Sequence, residues 1–249
     1  MAVTRTGGVV ATLTIDHPPV NTLSMATLAE LDEQLEAIVA DDRTRVLVLT
    51  GSGTTFASGG DVHELLEAVG DREAIEEHVG LTGRLFARLT ELPFPTIAAL
   101  DGHAVGGGLE LAIACDLVIA AEHVRLGFPE VKLGLIPGAG GTQRLPRRVL
   151  RTHAAELLLT GGLIGGTRAA AIGLVNEAVG GSALERAHEI ADRIAGLDAS
   201  AVAAAKRALR AALELDEPAG LAVERDLFVE RLSAPGTVEG LRAFLAGAR

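Results

Sequence analysis

Two glutamates and two glycine-rich turns hold the chemistry this sequence could perform. Glu110 lies two residues after the triple glycine Gly106–Gly108, at the start of an otherwise apolar helical stretch, Leu109 with Leu111–Ala114. A carboxylate there favours the positive end of a helix dipole, so its position alone fits a structural role as well as a functional one. Glu130 follows Phe128-Pro129 and, taken alone, reads as an ordinary loop carboxylate. Gly60 and Gly107 each sit in a glycine-rich turn that leads toward a helix. A backbone without a Cβ can bring its N–H groups close to a ligand. A helix N-terminus adds unpaired N–H groups and a favourable dipole. Taken singly, such turns are tight-packing devices. Together, two such amides could grip one developing oxyanion, and a positioned donor of this kind is worth roughly 3–4 kcal/mol in a transition state. Two carboxylates beside that site would form a water-handling pair, one taking a proton from water while the other gives a proton to carbon.

These residues fall in three segments: Phe56–Leu65 (FASGGDVHEL), Asp101–Asp116 (DGHAVGGGLELAIACD) and Leu126–Leu145 (LGFPEVKLGLIPGAGGTQRL). The elements around them read as alternating strands and helices. Val9–Asp16, Arg45–Thr50, Thr96–Leu100 and Asp116–Ala121 are expected strands. Met25–Ala40 is an expected helix, with Leu28, Leu31, Leu35 and Ile38 at helical spacing and Ser24 as N-cap. Arg72–Leu92 is an expected long helix, interrupted or bent near Gly80 and Gly83. The triple glycine opens a short helix through about Ala114. From Gly141 onward the pattern is mostly helical: Arg151–Thr160, Ser182–Leu197, Ser200–Leu215, Pro218–Leu232 and Thr237–Ala246, with a short strand at Val175–Val179. The expected fold class is therefore α/β, with a body over residues 1–190 and a helical C-terminal segment over residues 191–249.

Composition excludes other classes. The chain carries a net charge of −11, which repels phosphate backbones, and aromatics are only 2%, with no Trp or Tyr to stack on bases. Neither a nucleic-acid partner nor a membrane partner is expected. The N-terminus lacks the basic and apolar regions of a secretory signal, and no apolar run is long enough to span a bilayer, so a cytoplasmic location is expected. The single cysteine, Cys115, sits in an apolar run and reads as a buried thiol. The seven histidines form no ligand spacing, so no metal site is expected. The triple glycine is not the spaced dinucleotide fingerprint, and neither a phosphate loop nor a nucleophile elbow is present.

The ordered set FASGGD, GHAVGGGLELAIACD and FPEVKLGLIPGAGGTQRLPR resembles the crotonase (enoyl-CoA hydratase/isomerase) superfamily, closest to enoyl-CoA hydratase. Asn21-Thr22-Leu23 and Glu239-Gly240-Leu241-Arg242-Ala243-Phe244 extend the resemblance over nearly the whole chain. It implies a crotonase-like spiral of ββα units with a helical C-terminal segment that serves oligomerisation and pocket closure. It also implies a homotrimer or a dimer of trimers, and a place in fatty-acid-type metabolism. It implies an oxyanion hole from the Gly60 and Gly107 amides, with Glu110 and Glu130 at the two catalytic positions of true hydratases. The implied reaction adds water across a 2-enoyl-CoA to give a 3-hydroxyacyl-CoA, without a cofactor, because coenzyme A is part of the substrate. CoA contacts map onto Leu23, Ala57, Gly60, Asp61, Val62, His63 and Gly107.

Some positions depart from the pattern: His63 where relatives often carry lysine, Ser58 where alanine is common, and a C-terminus without the usual basic tail. The run Arg144, Arg147, Arg148 and Arg151 reads as subunit contacts or surface pairing, or as an attractor of CoA phosphates. Two rival readings share the scaffold: an enoyl-CoA isomerase in which one carboxylate dominates, and a catalytically idle CoA-binding protein.

Overall fold

The computed structural model describes residues 1–247. The chain opens with a hairpin, β1 (Val3–Thr6) and β2 (Val10–Ile15), followed by β3 (Thr22–Leu23) and the helix α1 (Met25–Val39). A strand–strand–helix rhythm then repeats. β4 (Val46–Gly51), β5 (Thr55–Ala57) and the short β6 (Gly59–Gly60) lead into α2 (Val62–Glu67) and α3 (Arg72–Glu91). β7 (Thr96–Leu100) and β8 (His103–Val105) lead into α4 (Gly107–Ala114). β9 (Leu117–Ala121) and β10 (Arg125–Gly127) lead into a 3-10 turn (Pro129–Leu133), α5 (Gly141–Arg148) and α6 (Arg151–Thr160). β11 (Leu163–Gly165), α7 (Gly166–Ala171), β12 (Glu177–Val179) and α8 (Ala183–Ala195) complete a compact unit, Met1–Ala195. A second unit begins at Gly196 and holds α9 (Ala199–Glu214), α10 (Glu217–Leu232) and α11 (Pro235–Leu245).

The repeat sorts its strands. The first strand of each repeat joins one sheet, in the order β1-β2-β4-β7-β9-β12, parallel except for the β1–β2 hairpin. The second strands β5, β8 and β10 form a parallel ladder, with β11 antiparallel at its outer edge. This is the expected ββα spiral. Parallel sheets are covered on both faces, and the sequence obeys: Val46 to Leu49 and Thr96 to Leu100 are buried throughout. Side chains alternate between faces. Leu47, Leu49, Ala98, Leu100, Val118 and Ala120 join the larger core with α1, α3 and α4. Val46, Val48, Ile97, Ala99 and Ile119 pack against Ala183, Ala187 and Ala191 of α8, whose small side chains let the helix lie close to the strands. That packing carries the first unit through α8 to Ala195, beyond the expected boundary at residue 190.

Within the second unit α10 packs on α9, and Asp198 and Asp216 cap their N-termini. α3 is a continuous helix across Gly80 and Gly83, so the expected interruption is absent: Leu85, Phe86 and Leu89 anchor its buried face, and each glycine costs a helix only about 1 kcal/mol. The last two residues of the C-terminal tail lie outside the described residues.

Candidate active site

The site is built at one edge of the smaller sheet. β5, β8 and β10 run parallel, with Ala57 opposite Ala104 and Gly127 opposite Val105, so all three end at the same side. Each strand then hands the chain to one candidate group: Gly59–Gly60 after β5, Gly106 to Glu110 after β8, and Glu130 after β10. Ligands collect beyond the carboxyl ends of parallel strands because loops and helix N-termini converge there. The ladder between β5 and β8 contains a bulge, since Thr55 faces His103 and Ala57 already faces Ala104. Phe56 is the extra residue, and it turns the chain toward Gly59.

The two glycine turns touch. A Cβ on Gly59 would lie 2.9 Å from the Gly107 nitrogen, and one on Gly107 would lie 3.2 Å from Gly59 Cα and 3.6 Å from the Gly60 nitrogen. Gly59 also has φ +91°, a backbone region that L side chains rarely adopt. Gly107 is the first residue of α4, so its N–H has no carbonyl within the helix to reach. Leu23 pairs with Gly60 across the β3–β6 ladder. Asn21 fastens this corner: its Nδ2 donates to the carbonyls of Ser52 (3.0 Å) and Thr55 (2.5 Å), while its Oδ1 accepts from the His17 amide (2.8 Å).

Glu110 is 3% exposed on the first turn of α4. Its Oε1 accepts from the amides of Ala139 (2.8 Å) and Gly141 (2.7 Å) in the loop that starts α5. Burial pushes its titration upward, opposed by the Gly141 and Ala139 amides and by the Arg144 charge. Glu130 sits in the 3-10 turn that Pro129 begins and left-handed Gly134 ends. Its Oε1 lies 2.9 Å from where a Cβ on Gly106 would stand, and its Oε2 is buried without a hydrogen-bond partner. Burial raises the Glu130 carboxyl to about 7, and the nearby Glu110 charge adds to the rise.

The other candidates divide. Leu23 and Ala57 are fully buried, and the Ala57 carbonyl packs against Gly108, so both support the Gly60 corner from behind. Asp61 spends its carboxylate capping α2 through the His63 amide (2.8 Å), while Val62 and His63 are exposed on that helix beside Gly60. His78 of α3 was not singled out from the sequence, yet its Nε2 lies 3.6 Å from where a Gly60 Cβ would stand. The arginine run also differs from expectation. Arg144 donates to the Ala139 carbonyl (2.6 Å) and Arg148 to the Cys115 carbonyl, both turned inward rather than toward surface partners. Spacing offers a signal for this: Arg144 stands four residues after Gly140, where a helical side chain reaches back over the turn that opens α5.

Elsewhere a cleft of about 420 Å³ lined by Asp16, His17, Ser24, Thr27 and Glu30 contains none of these groups. Its polar atoms are spent locally, Glu30 on the Ala2 and Val3 amides and His17 on Thr22 and Thr27. Among the described residues no three His, Cys, Asp or Glu side chains are grouped to hold a metal ion, and no helix is long and apolar enough to cross a membrane.

The family model described as Enoyl-CoA hydratase/isomerase matches residues 5–247. The chain belongs to the enoyl-CoA hydratase/isomerase family. It is thus an enzyme of the crotonase superfamily, close to the enoyl-CoA hydratases. It is 40% identical to a 2,3-dehydroadipyl-CoA hydratase of Escherichia coli over 94% of this chain and 91% of the relative. A short-chain-enoyl-CoA hydratase of Clostridium acetobutylicum is 39% identical over 96% and 92% of the two chains. The crystal structure of an enoyl-CoA hydratase from Bacillus anthracis superposes with a TM-score of 0.92 at 36% identity, covering 99% of this chain and 97% of that one. The crotonase fold of the family is therefore the fold described above.

Proposed function

We propose that the protein hydrates 2-enoyl-CoA thioesters to 3-hydroxyacyl-CoA. One observation carries this reading: a buried carboxyl, Glu110, and a half-buried one, Glu130 beside Gly106, flank the Gly60–Gly107 corner. Glu110 is fixed by two amides, and Glu130 holds its proton up to about pH 7. In this reading the thioester oxygen accepts from the Gly60 and Gly107 amides, which draws electron density out of the conjugated double bond. Ionised Glu110 takes a proton from water as the water oxygen bonds to C3. The π electrons collect on the thioester oxygen as an enolate. Protonated Glu130 then donates to C2, and the enolate returns to a carbonyl. A proton passed from Glu110 back to Glu130 resets the pair for the next turnover. The substrate's CoA crosses the corner at Gly60, with Leu23 and Ala57 packed behind it and Asp61, Val62 and His63 beside it. No separate cofactor enters this cycle.

The relatives named as hydratases support the reaction. A relative from Mycosarcoma maydis, 38% identical over 93% of this chain and 88% of its own, is named enoyl-CoA isomerase/hydratase and keeps isomerisation as a second reading. Isomerisation would shuttle a proton between C2 and C4 with one carboxylate and no water. Absorbance of the conjugated thioester separates the two. Hydration consumes absorbance from a 2-enoyl substrate, whereas isomerisation creates it from a 3-enoyl substrate. Conversion of 3-enoyl but not 2-enoyl thioesters would overturn hydration. Binding across a thioester panel without turnover of either would leave a CoA-binding protein. The assembly proposed for this cytoplasmic enzyme is a trimer or a pair of trimers, which solution mass measures directly.

A further inference from the structure

Arg144 closes on one short loop from both of its ends. Its backbone N–H donates to the Gly140 carbonyl (2.7 Å), which starts α5, and its side chain returns over the same residue to the Ala139 carbonyl (2.6 Å). The loop has to be glycine at its centre: Gly140 has φ +107°, and a Cβ there would collide with the guanidinium. The amides on either side of Gly140, those of Ala139 and Gly141, are the ones that hold Glu110 Oε1. A Cβ on Gly141 would already press within 3.0 Å of that oxygen, so the loop lies against the carboxylate with no slack.

We propose that Arg144 is a positioning residue for Glu110: its guanidinium holds the Ala139 carbonyl so that the flanking amides stay aimed at the carboxylate, and its charge favours the ionised form. The inference rests on the reading of Glu110 as the carboxylate that takes a proton from water. The other groups around the pair are accounted for. The Glu110 charge raises the Glu130 carboxyl, Arg144 feels Glu110 and Cys115, and Arg148 feels Cys115 and Asp116. Burial pushes Glu110 toward its protonated form; the Gly141 and Ala139 amides and the Arg144 charge oppose that push. A guanidinium committed to a backbone carbonyl has one donor fewer for a CoA phosphate, so positioning explains its contact better than phosphate attraction does.

The test is a titration that needs no turnover. Glutamate labelled with 13C at the carboxyl is incorporated, and the Glu110 signal is assigned by its loss in Glu110→Gln. In Arg144→Met the Glu110 midpoint should rise by about one pH unit, as expected when a close opposite charge is removed, and Arg144→Lys should restore most of it. Hydration by Arg144→Met should fall about tenfold or more in kcat near neutral pH, with KM changed by less than about twofold, because the loosened base is misplaced while the groups that bind substrate stay where they are. A purely structural clamp would lower the melting temperature and leave the Glu110 midpoint where it is, and that result overturns the proposal. Should Arg144→Met not fold, Arg144→Gln keeps a donor for the Ala139 carbonyl without the charge, and the same unmoved midpoint would refute the electrostatic role. Absence of hydration by the parent protein would remove the proposed reaction yet leave the titration to decide what Arg144 does to Glu110.

Discussion

Replacing Glu110 separates chemistry from folding, because its neighbours accept an amide as readily as a carboxylate. In Glu110→Gln the side-chain carbonyl can take the place of Oε1 and keep both bonds, from Ala139 at 2.8 Å and Gly141 at 2.7 Å. The buried charge disappears, so stability should hold or rise slightly at neutral pH. The proton acceptor disappears too. General acid–base groups contribute about 10²–10⁴-fold, equivalent to about 3–5 kcal/mol of barrier, so kcat should fall in that range. Glu110→Ala makes the contrast. It strands two buried amides, each costing about 1–3 kcal/mol, for a combined loss of about 2–6 kcal/mol partly offset by removal of the charge. Loss of enoyl-thioester absorbance and thermal unfolding, measured on the same preparations, read the two effects apart. Glu110→Gln retaining kcat to within about threefold would refute its role as base, being far short of the general-base contribution. Glu110→Gln as unstable as Glu110→Ala would refute the hydrogen-bond argument instead.

Other outcomes follow from the same geometry. Glu130 is held near 7 against an ordinary value of 4.5, so the native state retains a proton that the unfolded chain gives up. The Glu130 contribution to stability is fully present below about 4.5 and is lost as pH rises through about 7, so Glu130→Gln should melt above the parent at pH 8.5 and converge with it toward pH 5. No difference at either pH would show that Glu130 titrates normally. Because the proposed donor is protonated Glu130, kcat/KM should decline as pH rises through about 7, and a flat profile from about pH 6 to 9 would remove that role. Gly106→Ala meets both φ +56° and Glu130 Oε1 at 2.9 Å, so a stability loss of about 1–2 kcal/mol should accompany a fall in kcat. Normal turnover in that variant would mean that Glu130 can move without consequence. Asn21→Ala removes donors from the Ser52 and Thr55 carbonyls at a φ of +53°, and calorimetry should show a loss of about 2–4 kcal/mol. A loss below about 0.5 kcal/mol would show that this corner holds without it.

Elements long enough to repeat were legible in the sequence. Leu28, Leu31, Leu35 and Ile38 become the buried stripe of α1, and Ser24 is its N-cap as expected. β7 and the C-terminal helices match their expected spans to within a residue or two. The strands that frame the site were not legible, because β5, β6, β8 and β10 are two or three residues long and a period of two cannot show in so few. α5 escaped notice because glycines open it and Pro146 lies inside it. Of the four candidates, Gly60 and Gly107 lie in turns that touch, Glu130 reaches Gly106, and Glu110 sits on the first turn of the helix that Gly107 opens. What holds them was invisible: the Ala139 and Gly141 amides are backbone groups about 30 residues from Glu110 and leave no mark on residue type. The inward turn of Arg144 and the unpartnered Glu130 Oε2 likewise arise only from packing.

The bulge at Phe56 decides which changes of length this enzyme can tolerate. Because β5 spends one more residue than β8 to cover the same ladder, deleting Phe56 would straighten the strand. It would draw Gly60 back by about 3.3 Å, the rise of one extended residue, and away from the Gly107 turn that it now touches. The connection between α2 and α3 carries no such count. Its Gly70 is exposed, with open space where a Cβ would be, so added residues there meet no packed neighbour. Insertions near residue 70 are thus the ones this scaffold absorbs, while the stretch from 55 to 60 works as a ruler that has to stay the same length.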